Sequence, residues 1–182
     1  MQVIDTLIHD VKILEPCVFG DERGFFLESY NAQTLAQAIG VTAPFVQDNH
    51  SKSKKGVLRG LHYQDPQPQG KLVRALSGSL YDVAVDIRPD SPSLGRWVGV
   101  ELSSDNKRML WVPPGLAHGF LVLSDFAEMF YKVTTFYAPQ HEKAIRWDDP
   151  TLAIKWPLTT APLLSAKDAA APSFADLILT AS

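Results

Sequence analysis

Between about Val57 and Trp147, apolar residues return at every second position in short runs bounded by turn residues, and no other feature restricts the fold as strongly. A period of two is the side-chain period of a β-strand, so each run predicts a strand with one face buried. Leu80 to Ile87 shows it most plainly: Tyr81, Val83, Val85 and Ile87 fall on one side and Asp82 and Asp86 on the other, which predicts a packed face and a wet one. Ser77-Gly78-Ser79, just before it, reads as a hairpin turn. Comparable runs cover Lys71 to Leu76, Trp97 to Leu102, Arg108 to Val112, His118 to Leu123, Ala127 to Thr134 and Lys143 to Trp147. Between them stand Pro89-Asp90-Ser91-Pro92, Asp105-Asn106, Pro113-Pro114-Gly115 and Ala138-Pro139-Gln140. Strands spaced this regularly predict an all-β sandwich, jelly roll or barrel.

Helices are expected only at the margins. Ala32 to Ile39 predicts a surface helix that Asn31 caps and Gly40 ends, and short helical turns are expected around Ala166 to Ala171 and Phe174 to Leu179. With no Gly/Ser linker or internal repeat, the chain reads as one domain: an N-terminal extension of about 1–50, a β core of about 51–150 and a C-terminal region with short helices at about 157–182. Hydrophobic residues make up 46% of its 182 positions, enough for a substantial core. A formal charge of −3 argues against nucleic acid and anionic lipid as partners, and Lys52, Lys54 and Lys55, the one basic cluster, read as a solvated loop tip. The lone Cys17 excludes an internal disulfide and a multi-thiolate zinc site. With neither a signal-like start nor an apolar run long enough to span a bilayer, a cytoplasmic location without membrane contact is expected.

Polar residues occur where strand alternation aims side chains inward, and they come from several strands, which is how a barrel builds a pocket. Arg59 and His62 flank Gly60, which permits close approach of a backbone or a ligand. Pro113-Pro114-Gly115 forms a rigid turn that delivers His118 into an apolar strand. Pro113, Gly115 and His118 resemble the second motif of the cupin superfamily, whose fold is a double-stranded β-helix, or jelly roll, with a few short helices. The metal-binding first motif of that superfamily is not matched, since only His62 stands there, followed by Tyr63 and Gln64. Two histidines leave a divalent ion short of the three protein ligands usual in catalytic sites, so no metal is expected.

Five segments narrow the resemblance: Gly20 to Phe26, Phe45 to Ser51, Val57 to His62, Gly70 to Arg74 and Leu164 to Asp168. In order and spacing, from about Ile13 to Ala171, they resemble the dTDP-4-dehydrorhamnose 3,5-epimerase family. The resemblance implies an isomerase that inverts C3 and C5 of dTDP-4-dehydro-6-deoxy-glucose without a cofactor, on the route to dTDP-L-rhamnose for O-antigen, lipopolysaccharide or other surface glycans. It pairs His62 with Asp168, places Lys71 at the enolate oxygen and implies Arg23, Phe26, Glu28, Gln47, Asp48, Asn49, Arg59, His118, Glu142 and Lys167 as substrate-binding positions. It further implies a homodimer in which the N-terminal strand, with Arg23, Phe26 and Glu28, reaches the partner's pocket.

The residue types suit that chemistry. A hydrogen α to a ketone leaves at neutral pH only if a positioned base takes it while a cation or hydrogen-bond donor holds the enolate oxygen. His62, with an unperturbed pKa of ~6.5, suits the base. Inversion returns the proton to the opposite face, so a second group is needed on another wall, and Tyr131, which shares a strand face with Met129 and Val133, suits the acid. No Gly-x-Gly-x-x-Gly fingerprint is present, as expected for a reaction that moves no hydride. Alternatives are a deoxysugar epimerase acting at one centre, a 3,4-ketoisomerase, a metal-dependent cupin and a sugar-nucleotide binding module without catalysis.

Overall fold

The computed structural model describes residues 1–180, with side chains to residue 177; Ala181 and Ser182, the end of the C-terminal region, lie outside it. The chain runs β1 (Gln2–Asp5), β2 (Lys12–Glu15), β3 (Val18–Asp21), β4 (Gly24–Leu27), α1 (Ala32–Ile39), β5 (Gln47–Lys54), β6 (Leu58–Gln64) and β7 (Lys71–Ser77). It continues as β8 (Ser79–Asp86), β9 (Trp97–Ser103), β10 (Met109–Val112), β11 (Leu116–Val122), β12 (Phe126–Val133), β13 (Glu142–Ala144), α2 (Ala166–Ala169) and α3 (Phe174–Thr180). The strands form a six-stranded sheet ordered β1-β2-β10-β7-β12-β5 and a five-stranded sheet ordered β13-β6-β11-β8-β9, with β3 and β4 as a separate hairpin. The strands within each sheet pair antiparallel. This is the all-β, jelly-roll architecture that the alternation and the cupin resemblance predict.

The main core lies between the sheets. Val73, Ala75, Leu110 and Val112 from the six-stranded sheet meet Leu80, Ala84, Val100, Leu102 and Phe120 from the five-stranded one. Full burial of each valine, leucine or phenylalanine among them contributes about 1.5–3 kcal/mol. A second cluster covers the outer face of the five-stranded sheet, where Leu61, Val83, Val85 and Ala117 are roofed by Ile145, Leu152 and Phe174 from the C-terminal third. A third seats Leu35 of α1 against Leu14, Leu72, Met109 and Trp111.

This layering corrects the wet face expected for β8. Asp82 and Asp86 have no solvent exposure, because their side of the strand faces the opposite sheet while the Val83–Val85 side is roofed by the C-terminal segment. Burial is made tolerable by bonding: Asp86 accepts from the Arg88 guanidinium at 2.6 and 2.9 Å and from Ser91 and Ser93. Although burial alone would raise it, these donors hold the Asp86 carboxyl well below the usual carboxylate range. Ser77-Gly78-Ser79 is likewise not a hairpin, since β7 and β8 lie in different sheets and Gly78, at φ 70°, turns the chain across the sandwich. Lys52 and Lys54 sit on the outward face of β5 rather than on a loop tip, and only Lys55 belongs to the turn that follows.

The helix expectation holds to the residue. Asn31 Oδ1 accepts from the amides of Gln33 and Thr34, and Gly40, at φ 72°, terminates α1 in the left-handed region. α2 and α3 occupy the two stretches where helical turns are expected.

Candidate active site

A cavity of about 410 Å³ opens between the two sheets, within the size range of small-molecule sites. The six-stranded sheet contributes Gln47, Asn49 and Ser51 from β5, Lys71 from β7, and Met129 and Tyr131 from β12. The five-stranded sheet contributes Arg59, His62 and Gln64 from β6, His118 and Phe120 from β11, and Glu142 from β13. Its lining is polar because the inward positions of β5 and β6 carry amides, hydroxyls and charges where neighbouring strands carry aliphatic side chains.

β6 reaches the cavity through a close approach at Gly60, whose φ is 116°. A Cβ there would stand 2.5 Å from Gly119 Cα and 2.7 Å from the His118 carbonyl oxygen. The neighbour that Gly60 admits is therefore the backbone of β11, where the β6–β11 ladder shifts register. On the same ladder His62 lies directly opposite His118.

His62 Nε2 lies 2.5 Å from Asp168 Oδ1. A carboxylate only accepts, so the ring donates its Nε2–H and carries its lone pair on Nδ1. Asp168, only 3% exposed, is held by Ser165, whose hydroxyl donates to Oδ2 at 2.7 Å and accepts the Asp168 amide as the cap of α2. Burial lowers the proton affinity of His62 below the ordinary histidine value, and the attraction and hydrogen bond of Asp168 oppose that shift without cancelling it. His62 is thus largely neutral near pH 7, the form that accepts a proton.

Lys71 is 7% exposed, not the solvated turn lysine that its place after Gly70 suggests. Burial pulls its pKa from 10.5 to about 8, with Asp82 and Glu142 acting the other way. Its ammonium makes one long bond, 3.5 Å to the His62 carbonyl, which leaves donor capacity for an oxygen in the cavity. Tyr131 lines the cavity from the same sheet as Lys71 and opposite the strand that bears His62; burial foremost, then the charge of Glu142, raise its pKa, so the phenol stays protonated and able to donate.

His118 Nε2 donates to Asp82 Oδ1 at 2.9 Å, both groups being buried. Arg59 donates to Ser53 Oγ at 3.0 and 3.2 Å, tying β6 to β5 across the sandwich while its guanidinium faces the cavity. The Gln47 side chain donates to Asn49 at 2.9 Å, and its oxygen accepts the Tyr137 amide. Glu142 accepts the Tyr137 hydroxyl at 2.8 Å and forms an ion pair with Lys167.

The structure therefore gathers His62, Asp168, Lys71, Tyr131, Gln47, Asn49, Arg59, His118, Glu142 and, through Glu142, Lys167 at one place. Asp48 does not line this chain's cavity: β5 alternates, so it points outward and binds Lys132 at 2.7 Å while its neighbours Gln47 and Asn49 face inward. Arg23, Phe26 and Glu28 do not line this chain's cavity; Arg23 pairs with Asp21 at 2.5 Å on an exposed hairpin, Phe26 is 69% exposed and Glu28 accepts from Asn31. Sequence reasoning missed Tyr137, whose only local sign is an aromatic pair before a polar turn, and Asp82, whose alternation looks like that of a solvated side chain. Among the described residues, no group of three His, Cys, Asp or Glu side chains stands where it could hold a metal ion, and no helix is long and apolar enough to cross a membrane.

A family model described as dTDP-4-dehydrorhamnose 3,5-epimerase matches residues 5–176. A dTDP-4-dehydrorhamnose 3,5-epimerase of Salmonella typhimurium is 60% identical over 181 residues, covering 99% of both chains. One of Pseudomonas aeruginosa is 58% identical over 176 residues, covering 97% of each. Among solved structures, dTDP-6-deoxy-D-glucose-3,5-epimerase of Legionella pneumophila, in complex with dTDP-4-keto-L-rhamnose, superposes with a TM-score of 0.94 at 54% identity, over 97% of this chain and 96% of that one.

Proposed function

Since this chain belongs to the dTDP-4-dehydrorhamnose 3,5-epimerase family, an isomerase family, we propose that its cavity inverts C3 and C5 of a dTDP-linked 4-keto-6-deoxy sugar with His62 as base and Tyr131 as acid. The neutral imidazole of His62 takes the proton at C3 or C5, breaking the C–H bond, and the electron pair moves onto the C4 oxygen. Lys71 holds the resulting enolate oxygen, and Asp168 stabilises the imidazolium that has formed. Tyr131 then delivers its phenolic proton to the opposite face, and exchange with solvent resets both groups. Two carbons flank one ketone, so the same pair serves both steps if the ring shifts between them. Only protons move, so the reading calls for neither cofactor nor metal.

The observation that carries this reading is that His62 and Tyr131 line one cavity from different sheets, with a buried ammonium between the two families of strands. Arg59 supplies a cation suited to a diphosphate, with a fork that can grip two oxygens. Proton NMR of the dTDP-4-keto sugar in deuterated water tests it. Wild-type chain should place label at both C3 and C5; His62→Ala should lose exchange, and Tyr131→Phe should exchange while failing to invert. Full turnover by His62→Ala would refute the assignment.

The reading extends to a homodimer in the cytoplasm, working on the route to rhamnose for O-antigen or other surface glycans. The dimer's support is the β3–β4 hairpin, which pairs with no other strand among the described residues and leaves Phe19, Phe25 and Phe26 more than half exposed beside Arg23. Aromatic rings and a guanidinium presented together suit a nucleotide in a neighbouring subunit's cavity.

A further inference from the structure

Glu142 matches a substrate-binding position by resemblance, yet its carboxylate is already committed to protein partners. Oε2 accepts the Tyr137 hydroxyl at 2.8 Å and the Lys167 ammonium. Burial alone would raise its pKa, but those two donors outweigh burial and keep the carboxyl below its usual value, so it is ionised. A fixed negative charge here repels diphosphate oxygens rather than holding them.

What Glu142 does hold is α2. Lys167 immediately precedes Asp168, and α2 is only four residues long, with Ser165 as its cap. A grip on Lys167 is therefore transmitted through one peptide unit to the carboxylate that binds His62. The circuit closes through the β6–β13 ladder, where Glu142 lies opposite Gln64 and Ala144 opposite His62. β13 thus fixes the strand that bears the histidine and, through one ion pair, the helix that bears its partner.

We propose that Glu142 is a positioning residue that acts through Lys167, seating α2 so that Asp168 stays on His62. The inference rests on reading His62 as the base. The charged or titratable groups around that ring are Asp168 from α2, Lys71 from β7, His118 from β11 and Glu142 itself.

A double-mutant cycle with Glu142→Gln and Lys167→Met on the full chain tests it, measuring kcat, KM for the dTDP-4-keto sugar, and the low-field N–H proton resonance of the His62–Asp168 bond, assigned by its loss in Asp168→Asn. Each single variant should lose roughly 10- to 100-fold in kcat, the scale of a small displacement of a catalytic group. KM of Glu142→Gln should stay within about twofold, the double variant should be no slower than the slower single one, and the resonance should broaden in both. Losses that multiply in the double variant, a raised KM at unchanged kcat, or an unmoved resonance overturn the proposal. Lys167 is half exposed, so Lys167→Met keeps the resonance test open if Glu142→Gln does not fold. Wild-type turnover by His62→Ala would bring down the reading of the base, whereas a multiplicative cycle beside an inactive His62→Ala brings down this inference alone.

Discussion

Lys71 should cost the fold stability and supply activity in return, and replacing it by methionine separates the two. Its pKa drops from 10.5 free to about 8 in the folded chain, mainly because of burial. At about 1.4 kcal/mol per unit, carrying the charge at pH 7 costs the folded state about 3 kcal/mol. The sign follows from proton counts: between pH 8 and 10.5 the unfolded chain binds the extra proton, so wild-type stability rises with pH across that window and the penalty is fully present below it. Lys71→Met mimics the neutral amine in volume and should be more stable at pH 7 by about 3 kcal/mol, which is roughly 6–12 °C in Tm for a chain of this size. By pH 10.5 most of that gain should have vanished. Urea unfolding of both proteins at pH 7 and pH 10 measures it. Epimerisation by the variant should fall by at least about 100-fold, the scale of losing a preorganised donor to a developing oxyanion, and wild-type kcat/KM should decline above pH 8. A variant less stable than wild type at pH 7, or a gain that persists unchanged at pH 10, would refute the reasoning.

Two further outcomes follow from geometry. Gly60→Ala forces a Cβ to within 2.5 Å of the β11 backbone from a φ of 116°, and should destabilise the chain by about 2–4 kcal/mol in urea titration; a loss under about 1 kcal/mol would mean that β6 and β11 can separate freely. Equal mixing of inactive Arg23→Ala and His62→Ala chains should restore about a quarter of wild-type activity if each cavity borrows the partner's hairpin, since half the dimers are mixed and each holds one intact site. No recovery after exchange of subunits rules out a shared site.

The legible parts of this fold were those encoded locally. α1 could be placed to the residue because Asn31 and Gly40 act on amides and carbonyls within one turn of themselves. β5 was invisible to hydrophobic alternation: Gln47, Asn49, Ser51 and Ser53 are its inward residues, and none is apolar. Its partner is a ligand cavity, so the burial alternates while the hydropathy does not. Alternation along β8 correctly separated Asp82 and Asp86 from Val83 and Val85, but period alone says which residues share a face, never what covers it. Gly78 supplies the same turn chemistry whether the chain doubles back in one sheet or crosses to another. His62 and Asp168 stand 106 residues apart, and only the family resemblance joined them before the structure did.

His62 and Tyr131, the proposed acceptor and donor of the proton, hang from different sheets, so the gap between them is set by the thickness of the molecule's filling. Leu80, Leu102 and Leu110, outside the cavity lining, behave as spacers that gauge a reaction they never touch. Under the proposed roles, thinning one of them removes no reacting group yet shifts one wall against the other, and a flattened sugar ring that has lost its alignment with the facing phenol would take its hydrogen back from the side that lost it and leave as the compound that entered.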